Sequence, residues 1–364
     1  MTRFVAALSE DSIAVEFAGR ILADAGLGVV KIEGRDGDGL RRRSAALFAY
    51  LAAGKRSVAL ELPPPAGDGT LASILTAAEV VIADEAGADL ACALAGAVPV
   101  VAIGTDDLSG VPSRIARDEF LLFHASGLGA ITPRMMPGYP SAAPLCPNAN
   151  LATFMAGHYG AIAALAAIQG RRRNGAAPSA RIGATGALLP LLRREIAAVL
   201  FEGIVPHRNE RIWKVSPAEV HRCRDGWIFV DVIEDGQWLR LTDYMGRPDL
   251  GASDMFKTRD LRFANADALC AILDAFFADK PQACWREAQA RGVPIAPVND
   301  LDDLRADRQL QARGFWAAIE TERGERLAVP RSPAARSRGG ADRAPLRVPT
   351  IGEHTQSLLT ELAA

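Results

Sequence analysis

Four cations near the start of the chain lie at the ends of two strand-like segments. Lys31 and Arg35 stand at the end of the apolar run Val29–Ile32, and Lys55 and Arg56 form a basic turn that leads into a second apolar run. Two strand edges that both carry fixed positive charge can bind a phosphorylated ligand, because Arg and Lys form strong charge-assisted hydrogen bonds with phosphate oxygens. The alternative is that Lys55 and Arg56 are ordinary solvated turn residues, since most Lys and Arg side chains are exposed.

Three side chains in the middle of the chain have chemistry of another kind. Cys146 together with His124 or His158 could supply a nucleophile and a base, and a histidine alone can abstract a proton next to a carbonyl group. A structural interpretation is favoured for each: a free Cys usually packs as a small hydrophobe, His124 closes an apolar run, and His158 shares a helical face with apolar residues. We keep His124 as a catalytic candidate.

The composition narrows the class of protein. The chain has 364 residues, of which 49% are hydrophobic and 23% charged, with a net charge of −2. This length favours two domains, and the near-neutral balance argues against a nucleic-acid partner. We expect no membrane span and no secretion signal. The five dispersed cysteines are typical of reduced thiols in a cytoplasm, and the absence of CxxC and HExxH spacing argues against a metal site.

Helical and strand patterns alternate over the first part of the chain, which indicates a parallel, doubly wound sheet. A Gly26-x-Gly28 string precedes a strand instead of opening a helix, so it is not a dinucleotide fingerprint and NAD is not expected. Further along, Gly157 and Gly160 interrupt an Ala-rich helix and imply close packing against another backbone. The predicted helices are 13–25, 70–78, 150–169 and 188–201, and the predicted strands are 29–32, 58–62, 80–83, 98–103 and 120–124.

Strings in order along most of the chain resemble CoA-transferase family III, the carnitine dehydratase and bile-acid-inducible type, which includes proteins similar to formyl-CoA transferase and alpha-methylacyl-CoA racemase. The strings are ILADAGLGVVKIEGR (21–35), GKRSVALEL (54–62), DGWIFVDVIEDGQWLRL (225–241), GVPIAPVNDLDDL (292–304) and IGEHT (351–355). The resemblance implies an α/β fold with a large Rossmann-like domain, whose parallel sheet is built from N- and C-terminal segments, and a smaller α/β domain. It places the first part of the large domain at 1–205, the small domain at 215–325 and the return to the large domain at 326–364, with a Pro- and Arg-rich connection at 331–349. It also implies an interlocked dimer.

The same resemblance implies a mechanism and a site. In the family an Asp at the start of the Ala-rich helix attacks an acyl-CoA thioester, and transfer proceeds through an enzyme-bound anhydride and an aspartyl-CoA thioester. Here Thr153 stands at that position, and no Asp or Glu occurs between Glu119 and Glu195. The family's ENFRPG loop is replaced by residues 83–94, which contain no Arg. The resemblance assigns the CoA contacts to Lys31, Arg35, Lys55 and Arg56.

Two functions remain open. The first is a transferase of this family that moves CoA between carboxylic acids, with racemase-like or lyase-like chemistry on an acyl-CoA as a variant. The second is a non-catalytic subunit that pairs with an Asp-bearing paralogue, since the catalytic carboxylate is missing and this chain alone is expected to form no aspartyl-CoA or glutamyl-CoA intermediate. In either case we expect no tightly bound cofactor, CoA or acyl-CoA and a small carboxylic acid as substrates, a homodimer or a heteromer with a paralogous subunit, and a cytoplasmic location.

Overall fold

A parallel sheet organises the chain in a computed structural model that describes residues 3–104, 118–132, 143–145, 147, 149–208, 216–331 and 346–364. Within these ranges the residues fall into two compact units, the first made of 3–206 and 314–364 and the second of 207–313. The sequence-based boundary at 325 lies inside a hairpin that belongs to the first unit. That hairpin places Ala317, Ile319 and Val329 in one apolar cluster with Phe48 and Leu51 of the first unit.

The sheet of the first unit has six parallel strands. They are β1 (Phe4–Leu8), β2 (Gly28–Gly34), β3 (Arg56–Leu60), β4 (Val80–Ala83), β5 (Val100–Gly104) and β6 (Ala180–Gly183). Their spatial order is 3-2-1-4-5-6, as in doubly wound nucleotide-binding sheets. The strands run parallel throughout, and successive strands are added first on one side of β1 and then, from β4 onward, on the other. The sequence analysis overlooked β1, a short strand at the N-terminus that lies at the centre of the sheet.

Helices cover both faces of this sheet. They are α1 (Ile13–Asp24), α2 (Gly39–Arg43), α3 (Ala45–Ala52), α4 (Thr70–Ala77), α5 (Glu85–Leu94), α6 (Glu119–Ala125), α7 (Leu151–Asn174), α8 (Ala184–Leu188) and α9 (Arg193–Ala197). Alternate residues of β1 belong to opposite cores: Val5 packs with residues of α1 and α7, and Phe4 packs with residues of α4 and α5. This two-sided burial explains why the strands read as continuous apolar runs.

Two predicted elements differ in the structure. The expected strand at 120–124 is helix α6, because Asp118 caps it by accepting hydrogen bonds from the backbone N–H groups of Phe120 and Leu121 at 3.0 and 3.1 Å. The expected helix at 188–201 is divided into a 3-10 segment (Leu189–Leu192), helix α9 and a π-helical segment (Ala198–Glu202), and Pro190 stands in the first of them. A proline inside a helical stretch removes a hydrogen bond and favours such a break.

The C-terminal residues return to the first unit without adding to the six-stranded sheet. They form an outer sheet of β10 (Trp316–Glu320), β11 (Arg326–Pro330) and β12 (Leu346–Arg347), followed by a last helix, Thr355–Ala363. Leu358 of this helix packs on the sheet face that carries Phe4. The expectation that C-terminal segments contribute strands to the parallel sheet is therefore wrong for the described residues. Most of the predicted connection at 331–349 lies outside them.

The second unit is a small α/β unit around a three-stranded antiparallel sheet of β7 (Ala218–Cys223), β8 (Gly226–Asp231) and β9 (Ile295–Pro297). Its core centres on Trp238, Leu273 and Phe277. In chain order its helices are α10 (Asp235–Tyr244), α11 (Pro248–Ala252), α12 (Arg259–Ala264), α13 (Ala266–Phe277), α14 (Trp285–Ala290), α15 (Leu301–Ala306) and α16 (Arg308–Ala312), which makes the last helix of the chain α17.

The composition led to expectations about the cysteines, a membrane span and a metal site, and the structure bears on each. Cys223 and Cys284 are buried, Cys270 is half-buried and Cys92 is exposed, all as free thiols, and Cys146 lies outside the described residues. Helix α7 has the length and hydropathy of a membrane span, and 44% of its apolar window is buried inside the protein. Among the described residues, no three potential metal ligands of the His, Cys, Asp and Glu types come together.

Candidate active site

A cavity of about 200 Å³ lies at the carboxyl edge of the parallel sheet. Its lining comes from the segments that follow β1 and β4, from the last two residues of β5, and from helices α1, α2, α6, α7 and α8. Ligands of doubly wound sheets bind at this edge, where the strand order reverses. The lining residues that matter for chemistry are Asp11, Ser12, Arg43, Asp84 and Thr153.

Helix α7 reaches this cavity because two glycines let it lie directly on its neighbours. A Cβ atom on Gly157 would stand 2.8 Å from the carbonyl oxygen of Ala14 in α1, and one on Gly160 would stand 2.2 Å from Cδ1 of Ile103 in β5. At Gly157 the neighbour is a backbone atom, as predicted, whereas at Gly160 it is the side chain of Ile103, which would have to move to admit a Cβ atom. The contact fixes the first turn of α7, including Thr153, above the end of the sheet.

A carboxylate does stand at the start of α7, but it comes from another helix. Oε1 of Glu119 accepts a hydrogen bond from the backbone N–H of Ala152 at 2.6 Å, and Oε2 accepts one from the N–H of Thr153 at 3.2 Å. The hydroxyl of Thr153 lies 3.3 Å from the same Oε2. Asn150, at the N-cap position, has a φ of 48° and makes no side-chain capping bond, so the half-buried Glu119 serves as the cap of α7.

The histidines suggested by the sequence do not join this group. His124 lies in α6, where its Nδ1 is 2.9 Å from the carbonyl oxygen of Phe120 and its ring stacks on the Phe120 ring. His158 lies beyond Thr153 in α7, where its Nδ1 is 3.0 Å from the carbonyl oxygen of Phe154 and its ring makes an edge-on contact with Phe17. Neither lines the cavity, which agrees with the packing roles favoured for both.

A second, larger cleft of about 610 Å³ opens beside the first at the ends of β2 and β3. It shares Asp11 with the cavity and is lined by two cations, Arg35 and Arg42. The Arg35 side chain is 75% exposed and lies 3.5 Å from Glu61. Arg42 donates to the carbonyl oxygen of Asp36 at 3.1 Å. Both guanidinium groups can therefore meet a ligand in the cleft.

Lys31 and Lys55 are not at this surface. Both side chains are fully buried, and their ammonium groups bind the carboxylate of Glu16 in α1, Lys31 at 2.8 Å and Lys55 at 2.6 Å. Lys31 also contacts Asp38. The prediction that these two lysines bind phosphate is corrected by this placement, because each is already paired in the interior, where an unpaired charge would be costly.

Arg56 points elsewhere as well. Its guanidinium group lies 2.9 Å from Glu361 of α17, and its side chain is 22% exposed. It also lies over the Phe4 ring. Arg56 does not line the cleft, so of the four predicted cations only Arg35 does.

The buried lysines belong to a network that shapes the loop around the cleft. Burial raises the pKa of Glu16, but the two ammonium groups outweigh it and lower the value to about 2. Glu33 accepts hydrogen bonds from Arg41 at 2.7 Å and from the Ser57 hydroxyl at 2.6 Å. Burial also raises the pKa of Glu33, and Arg41 with Lys31 more than compensates, so that its pKa is lowered.

This network ends on the C-terminal return of the chain. Arg41 donates to the carbonyl oxygen of Pro349 at 3.1 Å, and the Ser57 hydroxyl accepts from the N–H of Gly352 at 2.8 Å. Gly352 has a φ of 67°, which only glycine adopts without strain. The IGEHT string is thus hydrogen-bonded to the same network that holds the loop after β2.

The segment at 83–94, which stands in place of the family's ENFRPG loop, has regular secondary structure. It ends β4 and forms helix α5, and the buried Asp84 caps that helix by accepting a hydrogen bond from Gly87 N–H at 2.9 Å. Because Asp84 also lines the cavity, the segment still reaches the site although it carries no arginine.

Sequence reasoning missed Glu119, Arg42 and Glu16. Glu16 had a detectable signal: a lysine in the middle of a buried strand needs an anion, and Glu16 is the acid inside the apolar face of α1. Glu119 carried only the hint that it is the last carboxylate before a long stretch without acids.

Comparisons with known proteins agree with this architecture. The family model for CoA-transferase family III matches residues 5–91 and 118–355. A succinate–glutarate CoA-transferase of Agrobacterium fabrum is 26% identical, covering 96% of this chain and 92% of its own length. The beta subunit of a succinyl-CoA–L-malate CoA-transferase of Chloroflexus aurantiacus is 27% identical, covering 96% and 91%. The crystal structure of a CAIB/BAIF family protein from Brucella suis superposes with a TM-score of 0.81 at 24% identity, covering 99% of this chain and 98% of that one.

The fold, the position of the site and the family match lead to one conclusion. The chain belongs to CoA-transferase family III.

Proposed function

We propose that the protein transfers CoA from a short acyl-CoA to a second small carboxylic acid. The observation that carries the proposal is the cavity at the head of α7, in which Thr153 faces the ligand space and the Glu119 carboxylate lies 3.3 Å from the Thr153 hydroxyl. A space of about 200 Å³ suits a short acyl chain better than a long one. Relatives named for succinyl-CoA, glutarate and L-malate support a dicarboxylic substrate.

In this proposal CoA lies in the cleft that adjoins the cavity. Arg35 and Arg42 bind its phosphates, because they are the two cations of the cleft lining and guanidinium groups suit phosphate oxygens. The thioester end then enters the smaller cavity past Asp11, which lines both spaces. No tightly held cofactor is required by this chemistry, and a cytoplasmic location remains a prediction.

The test is an exchange assay with the purified protein. The protein is incubated with succinyl-CoA and glutarate, malate or acetate, and the new acyl-CoA is separated and identified by mass spectrometry. Calorimetry with CoA alone tests the cleft independently of turnover. Formation of glutaryl-CoA or malyl-CoA supports the proposal, whereas CoA binding without exchange for any acid would favour a non-catalytic subunit.

We also propose that the chain works as a dimer, as the resemblance implies. Leu200 and Phe201, after α9, are 71% and 87% exposed in the single chain, and Ile196 and Val199 beside them are exposed as well. A contiguous exposed apolar patch marks an interaction surface. A second copy is the proposed partner. Because some relatives are named as alpha and beta subunits, a paralogous subunit is the alternative, and sedimentation at micromolar concentration separates the two from a monomer.

A further inference from the structure

We propose that Glu119 is the residue that carries first the acyl group and then CoA, in place of an acid on α7. This inference rests on the proposed transferase function. Helix α7 has no carboxylate of its own, because residues 120–194 contain neither Asp nor Glu. Glu119 reaches the first turn of α7 from a helix that starts 32 residues earlier, and it brings a carboxylate within 3.3 Å of the hydroxyl of Thr153, which lines the cavity.

The chemistry asks for a carboxylate at this place. Moving CoA from one acid to another without hydrolysis requires an enzyme group that can hold both the acyl group and CoA at high energy. A carboxylate does so as a mixed anhydride and as a thioester. The Thr153 hydroxyl would form an ordinary ester, from which a thiolate recovers CoA thioester only with difficulty, and a threonine needs an adjacent base to attack at all.

The two oxygens of Glu119 are held unequally, which gives them different roles. Oε1 is bound tightly by the Ala152 N–H at 2.6 Å. Oε2 has only longer contacts, 3.2 Å to the N–H and 3.3 Å to the hydroxyl of Thr153. Oε2 is therefore the attacking oxygen. Glu119 does not itself line the cavity, so substrate reaches Oε2 when its contact to the Thr153 hydroxyl opens.

The tight contact at Oε1 serves the later steps. When the Glu119 carboxyl carbon is attacked, negative charge develops on Oε1, which already faces the Ala152 N–H at the amino end of a helix of 24 residues. Backbone N–H groups at a helix start stabilise such an oxyanion. A capping contact in the resting protein thus becomes an oxyanion site during turnover.

The steps balance without any further reactant. Oε2 attacks the thioester carbonyl of the donor and expels CoA thiolate, which leaves a glutamyl–acyl anhydride. The thiolate attacks the glutamyl carbonyl, forms a glutamyl-CoA thioester and releases the donor acid as a carboxylate. The acceptor carboxylate attacks that thioester and again expels thiolate. The thiolate finally attacks the acceptor's acyl carbonyl, which releases the new acyl-CoA and restores the Glu119 carboxylate.

The two carboxylates that line the cavity directly are less suited to this role. Asp11 is paired with Arg43 at 2.9 Å, which draws charge away from its oxygens. Asp84 is 7% exposed, and its Oδ1 caps α5 through the Gly87 N–H. Only Glu119, of these three, contacts the first turn of α7 and combines a tightly bound oxygen with a loosely bound one.

The experiment compares Glu119→Gln with the parent protein. Glutamine keeps one carbonyl oxygen for the Ala152 N–H, and its amide NH2 group replaces Oε2 beside the Thr153 N–H. The shorter capping bond of α7 is therefore retained with a modest loss of melting temperature, whereas the nucleophile is lost. We expect at least a thousandfold loss of exchange between succinyl-CoA and glutarate, in line with the loss of a covalent catalyst, with unchanged CoA affinity in calorimetry. Asp89→Asn, on the exposed face of α5, is the matched control and should retain parent activity.

A covalent readout locates the residue. The parent protein is incubated with succinyl-CoA, treated with borohydride or hydroxylamine, digested and sequenced by mass spectrometry; the modified acid should be Glu119, and Glu119→Gln should carry none. Full exchange by Glu119→Gln, or a label on Asp11 or Asp84, would overturn the inference while leaving the transferase function standing. Absence of both exchange and label in the parent protein would overturn the proposed function itself and the inference with it.

Discussion

Lys55 binds Glu16 twice: its ammonium nitrogen lies 2.6 Å from Oε2 of the carboxylate and 2.7 Å from the carbonyl oxygen of the same residue. Lys31 holds the other carboxylate oxygen at 2.8 Å. One acid on α1 thus joins strand β2 to the turn before β3. Cations that the sequence suggested as ligand contacts instead fix the walls of the cleft in which the ligand is proposed to bind.

Replacing Glu16 by Gln should destabilise the protein strongly. The change leaves two buried ammonium groups facing a neutral amide, and breaking a buried ion pair from one side costs about 3–5 kcal/mol. Chemical denaturation with urea measures the free energy of unfolding. Glu361→Gln, which removes the partially exposed partner of Arg56, is the control and should cost less than about 1 kcal/mol. Equal effects of the two changes would show that the buried network has no special weight.

The stability of the protein should fall steeply in acid. Burial raises the pKa of Glu16, but Lys31 and Lys55 lower it overall from 4.5 to about 2. A carboxyl whose pKa is depressed in the folded state contributes stability above its ordinary pKa and loses it as the pH falls through the depressed value. Glu16 therefore contributes about 3 kcal/mol at neutral pH, which disappears between about pH 4.5 and pH 2.

Glu33 acts in the same direction, and Asp38 opposes it because burial raises the pKa of Asp38. The free energy of unfolding measured at several pH values gives the slope for the parent protein. Glu16→Gln should show a shallower acid limb. An identical slope in the variant would contradict the assignment of this limb to Glu16.

Arg35 and Arg42 should control the affinity for CoA. Each contact of a guanidinium group with phosphate is a charge-assisted bond worth on the order of 1.5–3 kcal/mol, so Arg35→Ala and Arg42→Ala should each weaken binding at least tenfold. Arg56→Ala is the matched control, because its partner is Glu361 and it does not line the cleft. Calorimetry with CoA gives the three values, and a larger loss for Arg56 than for Arg42 would place the phosphates outside the cleft.

The sequence was sufficient for the elements whose patterns are local. Helix α1 and strands β2 to β5 are found within a few residues of their predicted bounds, because the helix has its own apolar period and each buried strand is a short continuous apolar run. Helix α6 was mistaken for a strand, since its run Phe120–Phe123 is too short to show a helical period. The hydrogen bonds that Asp118 accepts at the start of the segment stabilise the helix.

The site was predicted less completely, because its contacts join residues far apart in the chain. Thr153 was placed at the head of α7 from the sequence, but Glu119 pairs with it across 34 residues. Lys31 and Arg35 are both cations, so their residue types alone did not show that one is buried and the other exposed. Their positions relative to the pleat of β2 separate them: Lys31 lies within the strand and is buried, whereas Arg35 follows it and is exposed.

A carboxylate placed on α7 itself should rescue the loss of Glu119. In the double variant Glu119→Gln/Thr153→Asp, the new acid stands at the cavity lining that Thr153 now provides, and the glutamine remains as a neutral neighbour. We expect exchange to recover at least tenfold over Glu119→Gln, since a positioned carboxylate restores the covalent route. The single variant Thr153→Asp is less informative, because two carboxylates a few ångströms apart raise the pKa of one of them.

Glu119→Gln/Thr153→Asn is the matched control for that rescue, because Asn has nearly the same size as Asp and no acid. Succinyl-CoA to glutarate exchange, followed by mass spectrometry of the acyl-CoA products, compares the two double variants. Recovery with Asp alone, with the covalent label moved to position 153, would show that the cavity supports acyl transfer from either helix. Equal rates for the Asp and Asn variants would mean that the start of α7 does not face the reacting carbonyl, and catalysis would then have to be sought at Asp84 or in a partner subunit.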